Sequence, residues 1–203
     1  MDHFLYRNGV LHAEEVPVPE IAATVGTPFY CYSTATMTRH YQVLTESLAG
    51  TGAKVCYAVK ANSNQAVIRT MLELGAGADV ISGGELQRAL AAGAKPRDVV
   101  FAGPGKTEAE LVQALKAGIY QFNVESEPEL RLLSAVATEM GKVAPVSIRV
   151  NPDVDAGTHE KITTGRKQNK FGIPIDRAMD VFDLGARLPG LTMLGVAIHI
   201  GSQ

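Results

Sequence analysis

From about residue 28 onward one unit repeats: a short β-branched or aromatic run, a polar cap, an Ala- and Leu-rich amphipathic stretch, and a terminating glycine. That is a βα repeat, and its punctuation is chemical. The helical stretches end at Gly75, Gly93, Gly118 and Gly141, where a left-handed residue is needed and glycine carries no Cβ penalty. They begin at Ser82, Thr107 and Ser126, each followed three residues later by Glu85, Glu110 or Glu129, the spacing of a capping box. The strand-like runs fall at 29–33, 55–60, 79–82, 99–102, 121–125, 146–151 and 194–200.

Alternating βα units require parallel strands, which leaves an open doubly wound sheet or a closed (β/α)8 TIM-type barrel. Central strands of a doubly wound sheet are covered on both faces and read as continuous apolar runs. Here Val146, Ile148 and Val150 alternate with Ser147, Arg149 and Asn151, and Phe122 and Val124 alternate with Gln121, Asn123 and Glu125. Val196, Ile198 and Ile200 alternate in the same way with Ala197 and His199. One apolar face for helices and one small or polar face for an interior favour the barrel. Seven strands in 203 residues fall short of the usual barrel, so the chain reads as an incomplete (β/α)8 barrel over 28–203 and the front part of a longer protein. Residues 1–27, with Asn8-Gly9 between two short runs and then Pro17 and Pro19, read as a hairpin and extended linker belonging to a separate β-rich domain. The polar stretch 152–172 reads as a functional loop.

A composition of 46% hydrophobic and 20% charged residues with a net charge of −2 describes a globular chain without a basic face for nucleic acid. No signal peptide and no membrane-length apolar run is visible, which places the chain in the cytoplasm by default. Cys31 and Cys56 lie in strand-like runs outside any CxxC pair and read as buried reduced thiols.

Barrel enzymes build their sites at the C-terminal ends of strands. The polar residues placed there are Lys60, Asp79, Asn123 or Glu125, Arg149 and His199. Lys60 ends the run KVCYAVK, where Cys56 and Ala58 share its face and leave room beside the amine. A lysine partly stripped of water becomes a nucleophile or Schiff-base former; one at a strand end also simply snorkels to solvent. Singly, Asp79 suits a turn cap, Glu125 a helix N-terminus, Arg149 an ion pair and His199 a core histidine. Together they form a charged ring around an amine, suited to an anionic aromatic aldehyde such as pyridoxal phosphate.

Rival motifs fail on spacing. Gly103-Pro104-Gly105-Lys106-Thr107 lacks the first glycine of a P-loop, whose position is Val100. Gly75-Ala76-Gly77 precedes a strand rather than following one, unlike a dinucleotide fingerprint. His159-Glu160 lacks the second histidine of a zinc helix, so no metal site is expected.

The segments YAVKAN at 57–62, ADVISGGEL at 78–86, FNVES at 122–126, IRVNPDVDAGTHEKITTG at 148–165, KFGI at 170–173 and HIGSQ at 199–203 resemble the diaminopimelate decarboxylases, of the alanine-racemase-like, fold-type III pyridoxal-phosphate enzymes. The resemblance implies that Lys60 carries the cofactor as a Schiff base, that His199 stacks on its ring, and that Asp79, Arg149 and Ser202 line its site. It implies decarboxylation of meso-2,6-diaminoheptanedioate, a small amino acid, to L-lysine by a homodimer. It places the phosphate cup, the acidic partner of the pyridine nitrogen and the interface cysteine and tyrosine beyond position 203, so the 203 residues alone are expected not to turn over substrate. Detectable turnover by the isolated segment contradicts that expectation. A decarboxylase of ornithine or arginine, and a non-catalytic single-barrel pyridoxal-phosphate carrier, are the alternative readings.

Overall fold

The computed structural model describes residues 3–154 and 171–200. Two sheets organise them. The first is antiparallel, from β1 (Phe4–Arg7), β2 (Val10–Ala13) and β3 (Val16–Pro17). Asn8 and Gly9 both hold positive φ at its first turn, the conformation that matches the right-handed twist of a two-residue hairpin. The extended linker expected next is instead a helix, α1 (Val18–Val25). Pro17 is its N-cap and Pro19 lies in its first turn, where the missing N–H has no partner to lose. The prolines start this helix rather than prevent it.

The second sheet begins after α2 (Thr34–Ser47) with β4 (Cys56–Ala58) and then alternates strand and helix. The succession is α3 (Gln65–Glu73), β5 (Gly77–Val80), α4 (Gly83–Ala91), β6 (Val99–Phe101), α5 (Glu108–Ala117), β7 (Gln121–Val124), α6 (Glu127–Glu139) and β8 (Ala144–Asn151). After these come the two-residue β9 (Ile173–Pro174), α7 (Ala178–Arg187) and β10 (Leu191–Ile198). Every pairing in this sheet is parallel, and its order is β10-β8-β7-β6-β5-β4 with β9 beside β8. Apart from the short β9, chain order equals spatial order. A doubly wound sheet reverses its order at a switch point; this one does not, as a barrel wall requires. The fold is a parallel α/β barrel wall, incomplete within the described residues.

The run at 29–33, expected as a strand, joins neither sheet. Its aromatic alternation suits a strand, but Tyr30 is 89% exposed and no strand among the described residues pairs with it. The stretch instead delivers Ser33, whose Oγ accepts the Thr36 N–H as the N-cap of α2 and donates to Glu14. The sheet's seventh member is therefore β9, not the 29–33 run.

The core lies between sheet and helices. Ala78 and Val80 of β5, Val99 and Phe101 of β6, Phe122 and Val124 of β7, and Val146, Ile148 and Val150 of β8 face Leu86, Leu111, Leu130 and Leu133 from the helices. Phe101 and Phe122 stack with centroids 6.4 Å apart. Each such fully buried side chain contributes about 1.5–3 kcal/mol. On β10 the expected pattern needs correction. Val196 and Ile198 pair with Ile148 and Val150 yet are each 65% exposed, because α7 covers the Leu191 and Met193 end and no described helix covers the rest.

The start of β5 is tight. A Cβ on Gly77 would fall into the Asp98 backbone carbonyl and within 2.8 Å of Cys56 Sγ. Gly77→Ala is expected to destabilise the protein by about 3 kcal/mol through overpacking, read as a lowered Tm; an unchanged Tm contradicts this close approach. Among the described residues, no helix is long and apolar enough to cross a membrane.

Candidate active site

The strand alternation that buries one face of the sheet leaves the other face to line a cavity of 430 Å³ at the C-terminal strand ends. Cys56, Asp79, Val100, Asn123, Arg149 and Ala197 line it, one from each of the strands β4 to β8 and β10, and Lys60 and His199 join them from just beyond β4 and β10. The volume lies in the range of small-molecule sites. Four of the residues expected at the site, Lys60, Asp79, Arg149 and His199, thus share one cavity. Ser202 lies outside the described residues.

Lys60 does not end a strand. β4 stops at Ala58, and Val59–Ala61 form a single 3-10 turn that buries Val59 completely. Tyr57 Oη donates to the Asn62 carbonyl at 3.1 Å and closes that turn. The turn lifts Lys60 onto the rim, where it is exposed, so the expected desolvated amine is not supplied by the described residues. Cys31 and Cys56 are likewise half-buried free thiols rather than buried ones; burial still pushes the Cys56 thiol pKa up, and neighbouring Asp79 pushes it further.

Asp79 carries the clearest signature of an unfilled role. Its Oδ1 is buried and has no hydrogen-bond partner among the described residues. Burial pushes its pKa up, against the pull of Lys60 and Arg149. A carboxyl whose folded pKa is raised contributes stability that is present below its unfolded pKa and lost as pH rises through the folded value. At neutral pH Asp79 is therefore a liability unless a donor enters the cavity. Asp79→Asn is expected to stabilise the cofactor-free protein at pH 7 by about 1 kcal/mol, with the gain vanishing in acid. Thermal melts at the two pH values check this; a loss of stability at pH 7 contradicts it.

Arg149 is fixed by an ion pair with Glu125 at 2.8 Å, with side chains 13% and 3% exposed. Glu125 therefore stands behind the cavity wall as an anchor, and Asn123 is the β7 residue that lines the cavity. The Arg149 guanidinium lies 5.6 Å from the Phe171 ring centroid. His199 is held below the usual histidine pKa by burial, then by Arg149 and Lys60. It is thus a neutral ring beside two cations.

The capping boxes do more than start helices. Thr107 and Glu110 form the complete reciprocal box, and Glu110 also accepts the Gly83 N–H. At the other two, the serine caps the helix while the glutamate reaches one residue further back: Glu85 accepts from Ile81 N–H at 2.8 Å, and Glu129 from Glu125 N–H at 3.0 Å. These bonds pin the strand ends that carry the cavity. Sequence reasoning missed Lys106 as well, which is buried against Glu129 at 2.7 Å; its only signal was an incomplete phosphate-loop pattern.

Two cationic side chains, a neutral imidazole and a carboxylate lacking a donor make a cavity for a small anionic molecule that brings a hydrogen-bond donor of its own. Pyridoxal phosphate fits that set, having an aldehyde for Lys60, a ring hydroxyl able to donate to Asp79, an anionic group for Arg149 and a flat ring for His199. The comparisons with known proteins agree. Over its full length the chain is 53% identical to a diaminopimelate decarboxylase of Vibrio cholerae and covers 49% of it. It resembles the Helicobacter pylori diaminopimelate decarboxylase (I148L mutant) crystallised with L-lysine, at TM-score 0.89 and 41% identity, over 92% of this chain and 47% of that one. It also resembles the M. jannaschii diaminopimelate decarboxylase in co-complex with L-lysine, at TM-score 0.90 and 37% identity, over 100% of this chain and 48% of that one. The chain spans about half the length of the curated relatives it matches. Residues 34–203 match the model of the pyridoxal-dependent decarboxylase, pyridoxal binding domain. With strand ends, cavity and sequence in agreement, the chain belongs to the pyridoxal-dependent decarboxylases, of which it carries the pyridoxal-binding domain.

Proposed function

We propose that the protein carrying this chain removes one carboxylate of meso-2,6-diaminoheptanedioate to give L-lysine and carbon dioxide. The observation that carries this reading is the single cavity in which Lys60, Asp79, Arg149 and His199 converge. The relatives supply the substrate: they are diaminopimelate decarboxylases, and two of them were crystallised with L-lysine.

Pyridoxal phosphate, when bound, supplies a conjugated ring that takes up the electron pair left by the departing carbon dioxide. The residues of this chain do the rest. Lys60 would hold the cofactor through its Nζ, and as a rim amine on a short turn it can move without unpacking the core. Asp79 Oδ1, without a hydrogen-bond partner among the described residues, would accept a donor from the bound cofactor. Arg149, locked by Glu125, presents a fixed positive charge to an anionic group. His199, held neutral, offers a flat ring face without adding a third cation. Residues 1–27 belong in this reading to a β-rich domain and 28–203 to the barrel, in a cytoplasmic homodimer, as the resemblance suggests.

Carbon dioxide release by the full polypeptide from meso-diaminopimelate, ornithine and arginine tests the assignment. Turnover of diaminopimelate at least about a hundredfold above the other two is expected, since a site built to pair a charged group rejects substrates lacking it. Preference for ornithine or arginine overturns it.

A further inference from the structure

Among the described residues, Lys106 is the strongly buried cation that the proposed chemistry leaves unused. It stands in the Gly103-Pro104-Gly105-Lys106-Thr107 turn between β6 and α5, with its side chain 1% exposed. Its ammonium has three hydrogens and three acceptors: the carbonyls of Gly103 and Asn123 and the Glu129 carboxylate, each at 2.7 Å. The Phe101 ring lies 5.5 Å away. The amine is therefore saturated and turned into the wall, and it has no hydrogen left for a phosphate. A phosphate-loop pattern is present here because the glycines let the turn fold back: Gly103 and Gly105 both hold positive φ.

What the amine grips is the cavity wall. Gly103 and Asn123 both line the cavity, and they come from the ends of β6 and β7. Glu129, held by Lys106 through one oxygen, accepts the Glu125 N–H through the other. Glu125 in turn holds Arg149 at 2.8 Å. One ammonium thus ties the ends of β6 and β7 directly and reaches β8 through Glu129, Glu125 and Arg149.

We propose that Lys106 is a positioning residue for the cofactor site, setting the wall and the Arg149 guanidinium through the Lys106–Glu129–Glu125–Arg149 relay without touching the cofactor itself. This rests on the reading of the cavity as a pyridoxal-phosphate site. Removing the ammonium frees two carbonyls and one carboxylate and lets Arg149 drift from its place.

The test uses the full polypeptide and titrates pyridoxal phosphate by fluorescence at a temperature where each variant is folded, with Tm read in parallel. Lys106→Met is expected to raise the cofactor Kd about tenfold. In the Arg149→Lys background the same change should raise it much less than in the wild type, because both act through one relay. A residue that merely stabilises the fold would lower Tm and leave Kd, and its coupling to Arg149, unmoved; that result overturns the proposal. If Lys106→Met does not fold, Glu129→Gln, which keeps the shape and the Glu125 acceptor, is expected to raise Kd at least about threefold, and an unchanged Kd overturns the proposal equally. Wild-type protein that binds no pyridoxal phosphate removes the cavity reading and this inference together, whereas wild-type binding matched by equal binding of the variants removes this inference alone.

Discussion

Lys60→Ala in the full polypeptide is expected to lower the decarboxylation rate by roughly a thousandfold or more, with the circular dichroism and Tm close to wild type. The two halves of that expectation come from different features. The loss follows from chemistry: among the described residues no other cavity-lining side chain carries a primary amine, the group an aldehyde needs for a covalent hold. The intact fold follows from placement. Lys60 is exposed on a one-turn 3-10 segment whose packing is done by Val59 and closed by Tyr57, so removing its amine opens no core cavity. Lys60→Arg should be as inactive, since a guanidinium stays protonated and does not condense with aldehydes. Comparable turnover by either variant contradicts the assignment of the amine.

Lys106→Met is expected to have the largest effect on stability, about 3–5 kcal/mol, because it leaves the Glu129 carboxylate buried without its cation. The pH dependence has a definite sign. Burial already pushes the Glu129 pKa up, and Lys106 pulls against it. Without Lys106 the folded pKa rises further, and a raised carboxyl pKa gives stability that is present below the unfolded value and lost as pH rises through the folded one. The Tm deficit of the variant is therefore largest at neutral pH and shrinks toward the acid side. Adding Glu129→Gln to Lys106→Met should recover part of the loss, since the neutral amide keeps an acceptor for the Glu125 N–H. A deficit that grows in acid contradicts this account.

The parts of the fold written in local chemistry were legible in the sequence. Glycine stops and Ser/Thr–Glu spacing report on a single turn of helix, and Ser82, Thr107 and Ser126 do cap α4, α5 and α6. Strand phase was legible for the same reason: Asp79, Asn123 and Arg149 share the cavity because they lie on the face of their strands that the helices leave uncovered. Errors came where the outcome depends on neighbours. The 29–33 run has strand composition but no described strand beside it, and Val196 and Ile198 have core composition but no described helix over them. Pro17 and Pro19 signal a break or a helix start with equal force, and only the packing of residues 18–25 decides between them. The Lys106–Glu129 pair joins residues 23 apart in sequence, and no local pattern encodes it.

Under the proposed function, Lys60 is the amine of a pyridoxal-phosphate cavity. Loading the protein with pyridoxal phosphate, reducing with borohydride and mapping the labelled peptide by mass tests it most directly. The account predicts one pyridoxyl group, on Lys60, lost in Lys60→Ala; a label found instead on Lys54 or Lys106 would contradict it.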